Sequence, residues 1–288
     1  MAQASTQKTA VDIVRKVSEL RARVEAWRRD GLTIGLIPTM GALHEGHLSL
    51  VRAALNKYDR AVVTLFINPR QFNSVDDLAK YPRTENDDAV KLAAAHAHLL
   101  YAPGPDEMYP EGYSTNICVS GISTGLCGAD RPGHFDGVAT VCTKLFLQSG
   151  ADGAFFGEKD FQQLQVVQRF VRDLDIPITI HPCETVREAD GLALSSRNER
   201  LSSHERQIAP SMYATMQTAA LRLRDGDAVV DVLREARLSL ESAGFGQIDY
   251  LELRSSDNLA TLDFAMTGAQ LFAAAWLGDV RLIDNTPV

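Results

Sequence analysis

Residues Leu32-Thr-Ile-Gly-Leu-Ile37-Pro-Thr-Met-Gly-Ala-Leu-His44-Glu-Gly-His47 carry the reading that decides the fold. The apolar run Leu32 to Ile37 is a strand, the glycine-bearing segment behind it a turn, and Leu48, Val51 and Leu55 then recur at helical spacing. A helix start presents unpaired backbone N–H groups and the positive end of the macrodipole, which suits an anion and phosphate above all. Positions i and i+3 share one face, so His44 and His47 converge on one ligand. On this segment alone the alternative stays open that these are two solvent-exposed histidines on an ordinary strand-to-helix turn.

The same alternation continues on either side. Val11 to Trp27 has helical spacing and ends at Asp30-Gly31. Ala61-Val-Val-Thr-Leu-Phe-Ile67 is continuously apolar, as a parallel strand buried on both faces requires, and stops at Asn68-Pro69. Thr84 to His98 reads as a helix and Leu99 to Ala102 as a strand. Gly121 to Gly137 reads as a loop feeding a helix from Val138 to Gln148. Ala154 to Phe156 is a short strand, Asp160 to Leu174 a helix, Ile178 to Val186 a strand. Such alternation predicts a parallel sheet covered on both faces, with ligands beyond the carboxyl ends of its strands.

After Val186 the pattern changes. Two helices, Ser203 to Arg224 and Asp227 to Ala243, precede two strands, Ile248 to Leu253 and Leu271 to Trp276. The expected fold class is therefore α/β. A Rossmann-like parallel-sheet domain over residues 1–186 is followed by a smaller α+β domain over 187–288 that serves as a lid or closure domain.

The formal net charge of −8 argues against a nucleic-acid binder, whose footprint is a basic face. A local cluster of cations can still hold a small anion inside a cleft. No stretch approaches the roughly 18 apolar residues of a membrane span, and the first ten residues lack the apolar core of a signal peptide. The expectation is a cytoplasmic protein with no membrane partner. Cys118, Cys127, Cys142 and Cys183 lie far apart with no C-x-x-C pair, and are expected to be reduced and mostly buried. His44 and His47 lack the H-E-x-x-H spacing, so no metal held by the protein is expected.

Three further segments carry chemistry. In Gly157-Glu-Lys159-Asp160 a cation in a first helical turn opposes the macrodipole, so Lys159 needs an anion nearby; Asp160 is an N-cap or holds a ligand hydroxyl. Gln163 lies one turn on. In Leu194-Ser195-Ser196-Arg197-Asn198 two hydroxyls and a guanidinium offer donors to a polyphosphate, while Ser202-x-x-Glu205 fits a capping box. Asn68 and Gln71 follow a buried strand, so they are candidates to read a carboxylate or hydroxyl, or else form a simple Asn-Pro turn. Ser74 to Pro82 is a candidate lid. Arg131 and His134 add a cation and an imidazole ahead of the next helix, with Asp136 a candidate N-cap. No nucleophile is evident: there is no G-x-S-x-G and no cysteine beside a histidine. This favours a substrate that itself attacks a nucleotide phosphate.

At these residues the chain resembles the pantoate:β-alanine ligase family (pantothenate synthetases) of the nucleotidylyltransferase superfamily. The resemblance covers nearly the whole length and rests on Pro38 to His47, Phe66 to Phe72, Arg131 to Phe135, Phe156 to Asp160 and Leu194 to Asn198. The first is HIGH-like; the last takes the place of the KMSKS loop, from which only serine and a cation survive. The resemblance implies attack of the pantoate carboxylate on ATP-Mg to give pantoyl adenylate and pyrophosphate, then attack of β-alanine to release AMP and pantothenate. It implies an ATP site lined by Met40, Gly41, Ala42, Leu43, His44, Glu45, Gly46, His47, Gly157, Glu158, Lys159, Asp160, Val186, Leu194, Ser195, Ser196 and Arg197. His47 is the implied proton donor, with His44, Lys159 and Arg197 beside the reacting phosphates. Gln71, Gln163, Pro38 and Asn68 are implied at the pantoate and β-alanine sites. Arg131 is an implied helper for pyrophosphate or for the geometry of a homodimer, and Mg²⁺ arrives bound to ATP. Two rivals remain at this point: a nucleotidylyltransferase whose product keeps the nucleotide, and a non-catalytic ATP sensor.

Overall fold

Strand β2 (Ile34–Thr39) is buried at Ile34, Gly35, Leu36, Ile37 and Thr39, so it must be covered on both faces by other elements. In the computed structural model, which describes residues 10–288 and leaves aside the side chains of Val75 and Asp77, it lies inside a six-stranded sheet. With β1 (Ile13–Val14), β3 (Arg60–Leu65), β4 (Leu99–Tyr101), β5 (Gly153–Gly157) and β6 (Thr179–Cys183), the strand order is β1-β4-β3-β2-β5-β6. The pairs β1–β4, β3–β4, β2–β3 and β2–β5 are parallel. The chain proceeds outward from β2 to β3 and β4, then resumes on the other side at β5. The order therefore reverses between β2 and β5, the place where open α/β sheets bind ligands.

The chain falls into two compact units. The first holds the described residues up to Cys118 together with Gly133–Phe156 and Val167–Cys183. Its core joins Ile37, Val63, Leu100 and Phe155 of the sheet to Val51, Ala54 and Leu92 of the helices Glu45–Leu55 and Glu85–Ala94. The second holds Val119–Pro132, Gly157–Val166 and Glu184–Val288. It contains an antiparallel sheet in the order β7 (Ile248–Ser255), β8 (Ala269–Leu277), β9 (Val280–Pro287). Leu271, Ala273, Ala275 and Leu277 of β8 pack with Met212, Met216 and Leu223 of helix Ser211–Arg224 and Val232 and Leu240 of helix Val229–Ala243. Parallel α/β followed by α+β is the class that the sequence pattern implied.

Several boundaries differ from the sequence reading. Residues 11–16 are not helical: Ile13 and Val14 join β4 at the sheet edge, and the helix runs Val17–Arg29 with Glu19 accepting the Arg15 and Lys16 N–H groups. The expected helix 203–224 is two, Ser203–Ile208 and Ser211–Arg224, parted at Ala209-Pro210 because proline lacks the N–H that would continue the ladder. Strand β6 ends at Cys183, three residues short of Val186. The third strand β9 was not expected; it turns back from β8 through the two-residue loop Gly278-Asp279, with Leu277 paired to Val280. All four cysteines are free thiols, but only Cys127 and Cys142 are buried; Cys118 is exposed and Cys183 half-buried. Among the described residues no helix is long and apolar enough to cross a membrane.

Candidate active site

The turn after β2 contains two consecutive residues in left-handed backbone, Gly41 (φ 89°) and Ala42 (φ 51°). A non-glycine residue there needs support, and it comes from a residue 46 positions on. Asp88 of helix Glu85–Ala94, fully buried, accepts the Ala42 N–H at Oδ2 (2.9 Å) and the Leu43 N–H at Oδ1 (2.8 Å). Thr84 Oγ1 also donates to Oδ2 (3.0 Å), and Lys91 Nζ donates to the Leu43 carbonyl (2.7 Å). One helix thus holds both the N–H and the C=O of Leu43. Asp88 was missed in the sequence, where it sits unremarkably in the charged run Glu85-Asn-Asp-Asp88.

The turn delivers His44 to the N-cap of helix Glu45–Leu55 and His47 to its third position, with ring centroids 4.1 Å apart. The expected convergence of the two imidazoles is thus present. His47 Nδ1 accepts the His44 backbone N–H (3.3 Å). An accepting Nδ1 makes the neutral ring the Nε2–H tautomer, so Nε2 is the atom with a proton to give. Glu45 is exposed and ion-paired with Arg52. Pro38 lies within β2, and Met40 meets the Gln71 side chain, whose Nε2 donates to Met40 Sδ (3.2 Å).

Gln71 ends the 3-10 turn Pro69–Gln71 that follows β3, and it is buried. Its Oε1 accepts from Asn68 Nδ2 (3.0 Å), which fixes the amide the right way round. Asn68, 1% exposed, gives its second Nδ2 proton to the Gly137 carbonyl (3.0 Å); its Oδ1 accepts from Tyr109 Oη (2.9 Å) and the Arg70 N–H (3.3 Å). Every polar capacity of Asn68 is met within the protein, so it orients Gln71 instead of offering donors outward. His134 Nδ1 contacts the Gln71 carbonyl (2.7 Å). Helix His134–Ser149 abuts this turn at Gly137, where a Cβ would lie 2.6 Å from Arg70 C and 2.8 Å from Gln71 N. That helix starts four residues earlier than its apolar spacing implied, and its N-cap is Gly133; Asp136 stands in the first turn.

In the second unit, Glu158–Asp160 form a 3-10 turn directly after β5, with Gly157 as its N-cap and helix Phe161–Asp173 beyond. Asp160 closes the 3-10 turn, and Lys159 precedes the α-helix instead of occupying its first turn. The Lys159 side chain is 19% exposed, and its Nζ lies 3.9 Å from Asp160 Oδ1. Gln162 is buried and committed to the 122–127 loop through Ile122, Gly125 and Cys127; Gln163 beside it is half-buried. Val186 and Leu194 face each other across a tight antiparallel excursion, the Leu194 N–H donating to the Val186 carbonyl (3.0 Å). Ser195 then N-caps a 3-10 helix Ser196–Arg200 by accepting the Arg197 N–H (3.2 Å), and Ser202 with Glu205 forms the expected capping box.

The first unit thus gathers Met40, His44, His47 and Gln71, and the second brings Val186 against Leu194 ahead of Ser195–Arg197. Comparisons with known proteins bear on these arrangements. The model of the pantoate-beta-alanine ligase family matches residues 12–287. The chain is 63% identical over 279 residues to a pantothenate synthetase of a Chelativorans species, covering 97% of this chain and 98% of that one. It is 58% identical to one from Cereibacter sphaeroides, over 96% and 99% of the two chains. Among solved structures, pantothenate synthetase from Thermus thermophilus superposes with a TM-score of 0.90 at 42% identity, over 96% and 99% of the chains. A pantoate-beta-alanine ligase from Francisella tularensis, complexed with beta-gamma ATP and beta-alanine, gives 0.82 at 33% identity, over 96% and 98%.

Proposed function

Because the chain belongs to the pantoate–β-alanine ligase family, and is therefore a ligase, we propose that it joins pantoate to β-alanine through a pantoyl adenylate. In the first step a pantoate carboxylate oxygen bonds to the α-phosphorus of ATP, the bond to the bridging α,β oxygen breaks, and pyrophosphate leaves with that electron pair. In the second, the β-alanine amine bonds to the acyl carbon, loses a proton, and AMP departs with the electrons of the acyl–oxygen bond.

The observation that carries this reading is the paired His44 and His47 at a helix start, with the His47 tautomer that leaves Nε2–H as donor. In-line transfer at phosphorus places charge on equatorial oxygens and on the leaving group, so catalysis consists of positioned donors. His47 donates to the leaving oxygen and His44 to a phosphate. Lys159 and Arg197 oppose the charge that grows on pyrophosphate, and Ser195 and Ser196 supply hydroxyls. Met40–His47, Gly157–Asp160, Val186 and Leu194 line the nucleotide. Gln71, set by Asn68, holds pantoate and faces β-alanine; Gln163 and Pro38 complete that site, and Arg131 serves pyrophosphate or the dimer. Mg²⁺ travels with ATP, bound to its phosphates. Residues 1–186 hold ATP and pantoate, residues 187–288 and the segment 74–82 keep water from the adenylate, and the protein works in the cytoplasm as a homodimer. The beta-gamma ATP and beta-alanine complexed with the Francisella tularensis ligase support the choice of substrates.

The test omits each substrate in turn. Pyrophosphate is expected only when pantoate accompanies ATP-Mg, and an amide product only when β-alanine is added. Pyrophosphate without pantoate, or a product that retains the nucleotide, rejects the reading.

A further inference from the structure

Strand β9 carries two adjacent polar side chains that are almost fully buried, Asp284 and Asn285, and no part of the proposed chemistry uses them. Neighbouring residues of a strand face opposite sides, so one strand can serve two segments. Asn285 Nδ2 donates to the carbonyls of Glu158 (2.9 Å) and Lys159 (3.0 Å), and its Oδ1 accepts from Gln270 Nε2 on β8 (2.6 Å). Both donors and the acceptor are engaged, and the two carbonyls, which can only accept, fix which way the amide faces. Asp284 takes the Arg187 guanidinium in a fork, Nη1 to Oδ2 at 2.6 Å and Nη2 to Oδ1 at 2.9 Å. That guanidinium lies over the Tyr213 ring (3.5 Å to the centroid) and donates to the Gly191 carbonyl (3.1 Å). Arg187 pairs with Ala193 in the excursion that leads straight into Ser195–Arg197.

A three-residue 3-10 turn has little hydrogen bonding of its own to define it. The Glu158–Asp160 turn is defined from outside, through the carbonyl of the very residue that bears the Lys159 ammonium. The serine-arginine loop is likewise tethered through Arg187. We infer that Asp284 and Asn285 are positioning residues for adenylate formation, Asn285 setting Lys159 and Asp284 setting the Ser195–Arg197 loop. This assignment rests on the adenylation reading above. It places the larger effect on the first half-reaction, because pyrophosphate charge develops only there.

Asn285→Asp keeps the size of the side chain and puts a carboxylate oxygen where two carbonyls expect a donor. In the full-length protein the expected result is an approximately 10²-fold fall in pyrophosphate release from ATP-Mg and pantoate, expressed in kcat. Ligation of supplied pantoyl adenylate to β-alanine is expected to fall by less than about tenfold, and that remaining activity also reports that the variant is folded. Asn285→Ser, which keeps one hydroxyl donor, is expected to lose less, and Asp284→Asn to fall between the two. Wild-type pyrophosphate release by Asn285→Asp, or equal losses in both half-reactions by either Asn285 variant, overturns the assignment. A wild-type protein that releases no pyrophosphate with pantoate overturns the adenylation reading and the assignment together.

Discussion

The turn at 40–43 and the turn at 158–160 are supported in opposite senses. In the first, a buried carboxylate collects backbone N–H groups, those of Ala42 and Leu43. In the second, a buried amide covers backbone carbonyls, those of Glu158 and Lys159. The first arrangement takes two anion-seeking donors out of play ahead of the helix; on the proposed assignment the phosphates then fall to the histidines and to the N–H groups of the first helical turn. The second engages two electronegative oxygens that a polyphosphate would otherwise meet unscreened. In both, backbone groups are committed to holding shape and side chains are left to do chemistry.

The comparison breaks first if the side chains are not the agents. His47→Ala and Lys159→Ala are each expected to slow pyrophosphate release by about 10²–10³ with little change in the unfolding midpoint. Near-normal release from either variant would return the work to the backbone. Asp88→Asn tests the first support: one accepting oxygen becomes an NH₂ that faces a backbone N–H, at a cost of about 1–3 kcal/mol in urea unfolding. A raised KM for ATP is expected alongside. If stability falls but ATP kinetics do not move, the turn does not set the site. Gly137→Ala drives a methyl group into the Arg70–Gln71 backbone and is expected to cost about 1–3 kcal/mol, with KM rising for pantoate and not for ATP. Equal shifts for both substrates would separate Gln71 from pantoate.

The smallest effect belongs to a group that takes part in neither support. His181 accepts or shares hydrogen bonds with Tyr58 Oη (2.8 Å) and Lys57 Nζ (3.3 Å), and burial, then the Lys57 charge, lowers its pKa from the ordinary 6.5. A histidine lowered in the folded state binds fewer protons there than in the unfolded chain. Its contribution to stability is therefore complete above pH 6.5 and fades as pH falls through the folded value. His181→Gln should flatten unfolding stability across that acidic window and leave pyrophosphate release unchanged. An unaltered pH slope would show that His181 is not the titrating group.

What could be read from the sequence was local. His44 and His47, Lys159 and the Ser195–Arg197 loop announce themselves because turn position and side-chain chemistry lie within a few residues. Asp88 does not, since its partners are 45 and 46 positions away and its neighbours Glu85 and Asp87 make it look like one more acid on a solvated helix. Strand β9 is hard to read because Asp284-Asn285-Thr286-Pro287 looks like a polar tail. The Gly278-Asp279 dipeptide between Leu277 and Val280 was a usable hairpin signal. Residues 11–16 read as helix because apolar spacing cannot distinguish a first helical turn from a two-residue edge strand.

The hold that Asp88 and Lys91 exert on Leu43 has a kinetic consequence. Turn amides ordinarily exchange their hydrogens with solvent quickly, but those of Ala42 and Leu43 are bonded to a carboxylate shut away from water. Their exchange should follow the opening of helix Glu85–Ala94, placing two loop protons among the slow ones of the first unit. Deuterium uptake at this peptide then becomes a clock for how often the histidine-bearing turn lets go of its anchor.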